Sequence, residues 1–348
     1  MDWTATGISN SFEFELLDAA LNHVGWLDGV TGGTITQTYR GDYRCTASLD
    51  TDGTVPPANR YVRIWNVASL GGEIVRTCLA TLMPDLPGGE YRLGRWTRSI
   101  DLYSAMKKLD TTHLATDYGL AKNTAVAAKW QQLVKSNGAV PVVSSGVSTT
   151  AKTASARVYE YSTPVLSILH ELAGMASGYI EVDALGRICL VPYVLPSRRG
   201  ASWALESGSD SIMLVGVGLE APEPVNRVTA RYESGGKVYY AKADVAASHP
   251  WSNARINRIV AEEITDPVGS GTGWLQKLVD RELAARTSAK SLYEVTTLFH
   301  PAIQPGTVGT VSYWDSPDDG GLAFKAFCSQ REITLDAAMT TTLTLEEL

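Results

Sequence analysis

Thiols are scarce in this chain: Cys45, Cys78, Cys189 and Cys328 stand far apart and form no CxxC pair. That spacing offers neither a zinc site nor a dithiol redox motif, so the four read as isolated buried thiols. Long apolar runs are missing as well. The nearest candidate, ICLVPYVLP from Ile188, is broken by prolines and falls well short of the roughly 18 residues a membrane-spanning helix needs. The opening MDWTATGISNSFEFELLDAA carries Asp2 and Glu13 and lacks the basic and apolar regions of a secretory signal. A soluble chain, made in a cytoplasm, is expected. Positive charge is in deficit: 30 Lys and Arg stand against 37 Asp and Glu, a formal net charge of -7. General gripping of a phosphate backbone is thereby disfavoured, because it needs clustered cations that release counterions.

What remains is globular in composition, and 348 residues exceed what one hydrophobic core usually organises. Residues 30 to 103 read as a β-meander, GGTITQTYRG, DYRCTASLDTDG, ANRYVRIWN, GGEIVRTCLATLM and GGEYRLGRWTRSIDLY, with turn residues between alternating segments. Gly32-Gly33, Gly71-Gly72 and Gly88-Gly89 are placed before strands, where positive φ is cheap for glycine. After Tyr103 the period changes. Asn123 to Lys135 puts Val126, Trp130, Leu133 and Val134 on one helical face. A second helix starts near Ser162 or Thr163 as cap with Pro164 in its first turn, and Val165, Leu166, Leu169, Leu172 and Ala173 form its stripe. The hairpin GYIEVDALGRICLVPY follows.

From about Ser211 the strand pattern returns, interrupted by a helix at roughly Trp274 to Ala289 with Leu275, Leu278, Val279 and Leu283 inward. The expected organisation is a first β unit at 1–103, an α+β unit at 104–200, and a second β unit at 201–348 with a helical insertion near 248–290. Ser136 to Thr153 and Asp266 to Gly273 are rich in Gly, Ser and Thr, and are expected to order only on assembly.

No catalytic, cofactor-binding or metal-binding residue is assigned. VGVGLEA at Val215 to Ala221 has dinucleotide-loop spacing, but Pro222 and Pro224 forbid the helix that must follow. His170-Glu171 begins like a zinc-protease helix, yet Gly174 stands where the second imidazole belongs. Ser104 and Lys107 have SxxK spacing without the partner motifs. Asp50-Thr51-Asp52-Gly53 opens like a calcium loop and then runs into Val55, Pro56 and Pro57. The histidines at 23, 113, 170, 249 and 300 lie in separate segments with no carboxylate pairing. Among the nine tryptophans, Trp26, Trp65, Trp96, Trp130, Trp203, Trp251, Trp274 and Trp314 read as core or subunit-contact residues.

The last third carries the most informative motifs. LFHPAIQPGTVGTVSYW, Leu298 to Trp314, ends one strand, turns at Pro305-Gly306 and launches another. It resembles the turn near the C-terminus of phage baseplate and tail-tip hub proteins, with Thr307 where that family often has Asp. PVNRVTARYES from Pro224 resembles the strand opening their second barrel, and EITLDAAMTTTLTLEEL their closing hairpin. The segments GGTITQTYRGDYRCTASLDTDG and STPVLSILHELAGMASGYIEVDALGRICLVPY resemble their first-barrel hairpin and helix-plus-hairpin middle domain, so the likeness covers most of the chain in order.

The resemblance implies a mainly β fold with α+β insertions, built from two tail-tube-like β-barrel domains and smaller α+β domains. It also implies a non-enzymatic structural protein of the virion tail, without cofactor. Three copies of such a hub form a pseudo-six-fold ring between the tail tube or distal tail protein and the tip or spike, and DNA passes through without specific binding. The acidic balance suits such a lumen. Two other readings are a tail-associated cell-wall hydrolase and a carbohydrate-binding tail module.

Overall fold

The structure, a computed structural model, describes residues 1, 3, 7–52, 55–57, 59–85, 90–92, 95–206, 225–234, 237–265, 267, 273–287, 291–313 and 322–348. It opens with β1 (Ser9–Leu17), β2 (His23–Trp26), β3 (Val30–Thr38), β4 (Cys45–Thr51), β5 (Tyr61–Leu70), β6 (Glu73–Pro84), β7 (Glu90–Arg92) and β8 (Arg95–Tyr103). A mixed segment follows: α1 (Ala105–Thr111), β9 (Tyr118–Leu120), α2 (Val126–Ser136), β10 (Pro141–Val143), β11 (Arg157–Tyr159), α3 (Val165–Met175), β12 (Gly178–Val182) and β13 (Ile188–Pro192). Next come β14 (Ala201–Glu206), β15 (Arg227–Ser234), β16 (Lys237–Asp244), α4 (Asn253–Ile256), β17 (Ala261–Ile264) and α5 (Trp274–Arg286). The chain closes with β18 (Leu292–Leu298), β19 (Val308–Tyr313), β20 (Leu322–Thr334) and β21 (Thr340–Glu347).

Alternating side chains give each sheet one buried face. In the first unit the ladder runs β3-β4-β8-β6-β5-β1-β2. Phe14 of β1 and Ile35 of β3 belong to distant ladder positions yet share one core with Leu49, Val62, Ile64 and Leu102. The sheet must therefore curl over on itself. Gly71 and Gly72, at φ 58° and 89°, make the two-residue turn between β5 and β6 that left-handed residues favour. Gly32 and Gly33 differ from expectation: they lie inside β3, where the β3–β4 register shifts. Gly88-Gly89 lies outside the described residues.

A second curled sheet consists of β14, β19, β20, β21 and β18, with Trp203, Val295, Val311, Ala326 and Leu343 in its core. The two are one continuous sheet, because β20 pairs antiparallel with β3 through Gln330↔Thr38 to Thr334↔Thr34. One of three smaller sheets, β16-β15-β17, packs Val228, Ala230 and Ala241 against Leu275, Val279 and Leu283 of α5. The fold is mainly β with α+β insertions, as the sequence predicts. No helix among the described residues is long and apolar enough to cross a membrane.

The mixed segment contains a duplication that composition did not reveal. Asn123 (φ 67°) and Ser162 (φ 69°) take the left-handed conformation at equivalent positions ahead of α2 and α3, which are 11 residues each. Gly138 (φ 70°) and Ser177 (φ 55°) do the same after them. The preceding strands β9 and β11 pair with each other, while the following strands β10 and β12 flank β13. Val126, Trp130, Leu133 and Val134 thus correspond to Val165, Leu169, Leu172 and Ala173, and all eight are buried in one core that also takes in Leu17 and Tyr61. The expected cap is absent: α3 starts at Pro164 with no side-chain cap, because Ser162 is held in the left-handed turn. The Ser136 to Thr153 stretch is packed within the chain itself, supplying β10 and burying Val147 and Thr153. Most of Asp266 to Gly273 lies outside the described residues.

A non-glycine residue in the left-handed region costs on the order of 1 kcal/mol. Ser162→Gly is therefore expected to stabilise the chain by up to about 1 kcal/mol, and Ser167→Gly, inside α3, to destabilise it by roughly 0.5 kcal/mol. Denaturant midpoints measured for the two variants check the opposite signs.

Candidate functional site

The catalytic look-alikes are spent on structure. Ser104 caps α1, accepting from the Met106 N–H at 3.3 Å and donating to the Tyr43 carbonyl, while Lys107 pairs with Asp85 at 2.5 Å. Glu171 accepts from Arg157 and from the Tyr159 hydroxyl, and His170 points to the exposed side of α3. Thr51 and Asp52 bond back to the Gly29 carbonyl at the end of β4, with Gly53 outside the described residues. His249 and His300 accept local backbone N–H groups through Nδ1, at 3.1 and 3.2 Å. Among the described residues no group of three or more His, Cys, Asp or Glu could hold a metal. Val215 to Ala221 lies outside them.

The geometry concentrates at the place where the first sheet, the second sheet and the mixed segment meet. Here the Pro305-Gly306-Thr307 turn leads into β19. Thr307, which stands where the resembling family often has Asp, caps this turn. Its hydroxyl donates to the Gln304 carbonyl at 2.7 Å and accepts from the Gln304 N–H at 3.2 Å and the Trp203 indole N–H at 2.8 Å. Gly306 sits at φ 92°, and a Cβ there would meet the Tyr39 ring at 3.2 Å and Arg199 Nη1 at 3.3 Å. Only glycine lets the turn approach this closely. Tyr39, Val308 and Phe327 form the small core of the junction, with Tyr179 and Leu348 packed against it.

Three arginines tie the junction together. Arg44 donates to the Ile180 carbonyl at 3.1 Å and to the Tyr39 carbonyl, joining the β3–β4 turn to β12. Arg199 donates to the Gly306 carbonyl and the Tyr39 hydroxyl. Arg331, 3% exposed, donates from Nε and Nη2 to Gln37 Oε1 at 2.9 and 2.6 Å, and from Nη1 to the Ile303 carbonyl at 2.6 Å. Burial pulls its guanidinium down to about 10, which still leaves it charged at neutral pH. A cleft of about 210 Å³ opens beside it, lined by Gln37, Arg44, Cys45, Cys78, Glu181 and Arg331 among others. Burial pushes the Cys45 thiol up to about 12 and the Cys78 thiol up to about 11, so both stay protonated and unreactive.

A second surface lies on the outer face of the first sheet. Trp26 of β2 is 48% exposed, and the Arg76 guanidinium lies 5.8 Å from its ring and 5.2 Å from that of Trp65. Glu15 accepts from the Trp65 indole at 2.9 Å and pairs with His23 at 3.0 Å. Burial would raise the Glu15 carboxyl, but these hydrogen bonds and the Arg63 charge hold it below the usual range. Trp130 and Trp203 are buried, and Trp251 and Trp274 half-buried, whereas Trp314 lies outside the described residues. Spacing could not have found the junction arginines, since the three come from three separate segments; only the Pro-Gly-Thr turn signalled the place.

No family model matches the sequence, and no curated protein matches it significantly. Solved structures match it along its length. The fold is that of phage and prophage tail proteins, as the sequence resemblance implied. A tail protein from Neisseria meningitidis is similar at 14% identity and TM-score 0.65, covering 97% of each chain. The prophage MuSo2 43 kDa tail protein from Shewanella oneidensis matches at 15% identity and TM-score 0.64, with 97% of this chain and 98% of that one covered. A VgrG-containing complex from Francisella matches at 10% identity and TM-score 0.52, covering 98% of this chain and 58% of the other.

Leaving the Trp203 indole and Gln304 N–H without an acceptor costs roughly 1–3 kcal/mol. Thr307→Val is expected to lose that amount and Thr307→Ser to keep most of it, read as a difference in urea midpoint at unchanged slope.

Proposed function

We propose that the chain is a non-catalytic hub of a phage or prophage-derived tail tip or baseplate. What carries the reading is the likeness of fold to two tail proteins over nearly the whole of both chains. In this reading three copies close a ring of six barrel-like units, built from the regions 1–103 and 201–348, with 104–200 between them. The ring continues the tail tube or distal tail protein on one side and receives the tip or spike on the other. DNA passes through its lumen, which a net charge of -7 keeps from gripping the duplex.

Two features support assembly by sheet edges. Inside one chain the units are already joined strand to strand by β20 and β3. Among the described residues the strand path then ends at β2 on one side and β14 on the other, and an open edge is a template for a neighbouring chain. Val24 and Trp26 on β2, with Ile74 on β6, expose apolar surface at that end. The carbohydrate-binding alternative draws on the same Trp26, whose ring could stack on a sugar.

Light scattering on the purified protein, alone and with its tube and tip partners, is expected to give trimers, and image averages a three-fold ring with six lobes. Trp26→Glu should shift the trimer to monomer while changing the melting temperature by no more than a few degrees. A strict monomer that ignores those partners overturns the hub. Saturable quenching of Trp26 fluorescence by a glycan would instead favour the sugar-binding module.

A further inference from the structure

The chain is acidic overall, yet cations gather at the junction: Arg44, Arg199 and Arg331 meet around Tyr39 and Gln37. None of the three bonds to a carboxylate among the described residues; their acceptors are carbonyls, a phenol and an amide. The acids lining the cleft are committed elsewhere. Glu181 accepts from the Tyr179 hydroxyl, although its charge favours that of Arg44, and Asp183 pairs with Arg187 at 2.6 Å. Arg331 is the extreme case, a guanidinium 3% exposed whose hydrogen bonds among the described residues all go to neutral acceptors. Buried charges are normally paired, because a lone one forfeits its hydration without an ionic partner.

The guanidinium is also incompletely used. It carries five N–H donors, of which three are bonded, two of them to the single oxygen Gln37 Oε1. Gln37 is itself anchored by its Nε2 to the Leu79 carbonyl at 2.9 Å, so it holds the guanidinium plane in place. Arg44 spends Nε and Nη1, and among the described residues its Nη2 has no acceptor. Both arginines line the same cleft, whose volume of about 210 Å³ far exceeds the roughly 30 Å³ of one water. A fixed planar donor set in the cleft favours a planar or tetrahedral oxyanion over chloride or a neutral group.

We propose that this cleft binds one small oxyanion, a carboxylate or phosphate-sized group, on Arg331 and Arg44. The group neutralises the junction and locks the first sheet, the second sheet and the β12–β13 hairpin into one body. A free ion and an acidic side chain of a neighbouring chain carry the same chemistry. The site does not depend on the tail role, since its ligands all come from one chain.

The test is calorimetric titration of the full-length protein with inorganic phosphate and with acetate, at ionic strength held constant with sodium chloride. One saturable site is expected. Arg44→Gln and Arg331→Met should each weaken it at least tenfold, while Arg227→Gln, on the remote small sheet, leaves it unchanged. If Arg331→Met does not fold, the wild-type isotherm and Arg44→Gln decide. Absence of saturable binding, or binding that both junction variants retain, overturns the proposal. Repeating the titration on the assembled form identifies the source. Loss of the phosphate site there, with tenfold weaker assembly of Arg44→Gln, assigns it to a neighbour's acid; persistence of the site assigns it to a free ion. A strictly monomeric protein would remove the hub reading and leave this result intact.

Discussion

Backbone N–H and C=O groups at a strand edge must find partners, and here the edge of β3 finds them in a strand almost 300 residues away. Thr34 to Thr38 pair with Gln330 to Thr334, and the side chains astride that ladder, Gln37 and Arg331, bond to each other. Without this pairing the two curled sheets would each present an open edge. With it, they share hydrogen bonds, a small aromatic core at Tyr39 and Phe327, and a turn at Gly306 that fits only because glycine leaves room for the Tyr39 ring. The mixed segment joins the same place through Arg44 and Tyr179, and again on β6, where Thr81 donates to the Ala184 carbonyl at the hairpin tip.

How much of this could be read from residues follows the range of the interaction. The meander, the two amphipathic helices and the Pro-Gly-Thr turn are local patterns, governed by alternation, helical period and positive φ, and they are where the sequence places them. Partnership between strands is not local. Alternation says which face of GGTITQTYRG is buried but not that its edge belongs to EITL, because every strand offers the same backbone groups. The start of α3 departs from expectation for a related reason: Ser162 and Thr163 are good caps in isolation, but the repeat of the α2 turn places Ser162 in the left-handed conformation.

The site was legible only in part. The turn at 305–307 signalled itself through its glycine and proline, and the replacement of Asp by Thr was visible; the threefold bonding of the Thr307 hydroxyl was not, since Trp203 comes from a distant strand. The arginines gave no signal at all. Residues 44, 199 and 331 become a cluster only through tertiary folding, and the overall acidic charge conceals a local cationic centre. Three of the cysteines, at 45, 189 and 328, are buried as expected, whereas Cys78 is half-buried; burial keeps the thiols at 45 and 78 protonated.

The β3–β20 ladder also sets a clock for synthesis. Gln37 and Arg331 are 294 positions apart. At about 5–20 residues per second, the ribosome delivers the second partner roughly 15–60 s after the first. Throughout that interval the nascent first sheet carries an unmatched edge in a crowded cell. The segment that waits is TITQT, uncharged and rich in β-forming residues, so its open edge is a template for other unfinished chains until its own C-terminal strand arrives.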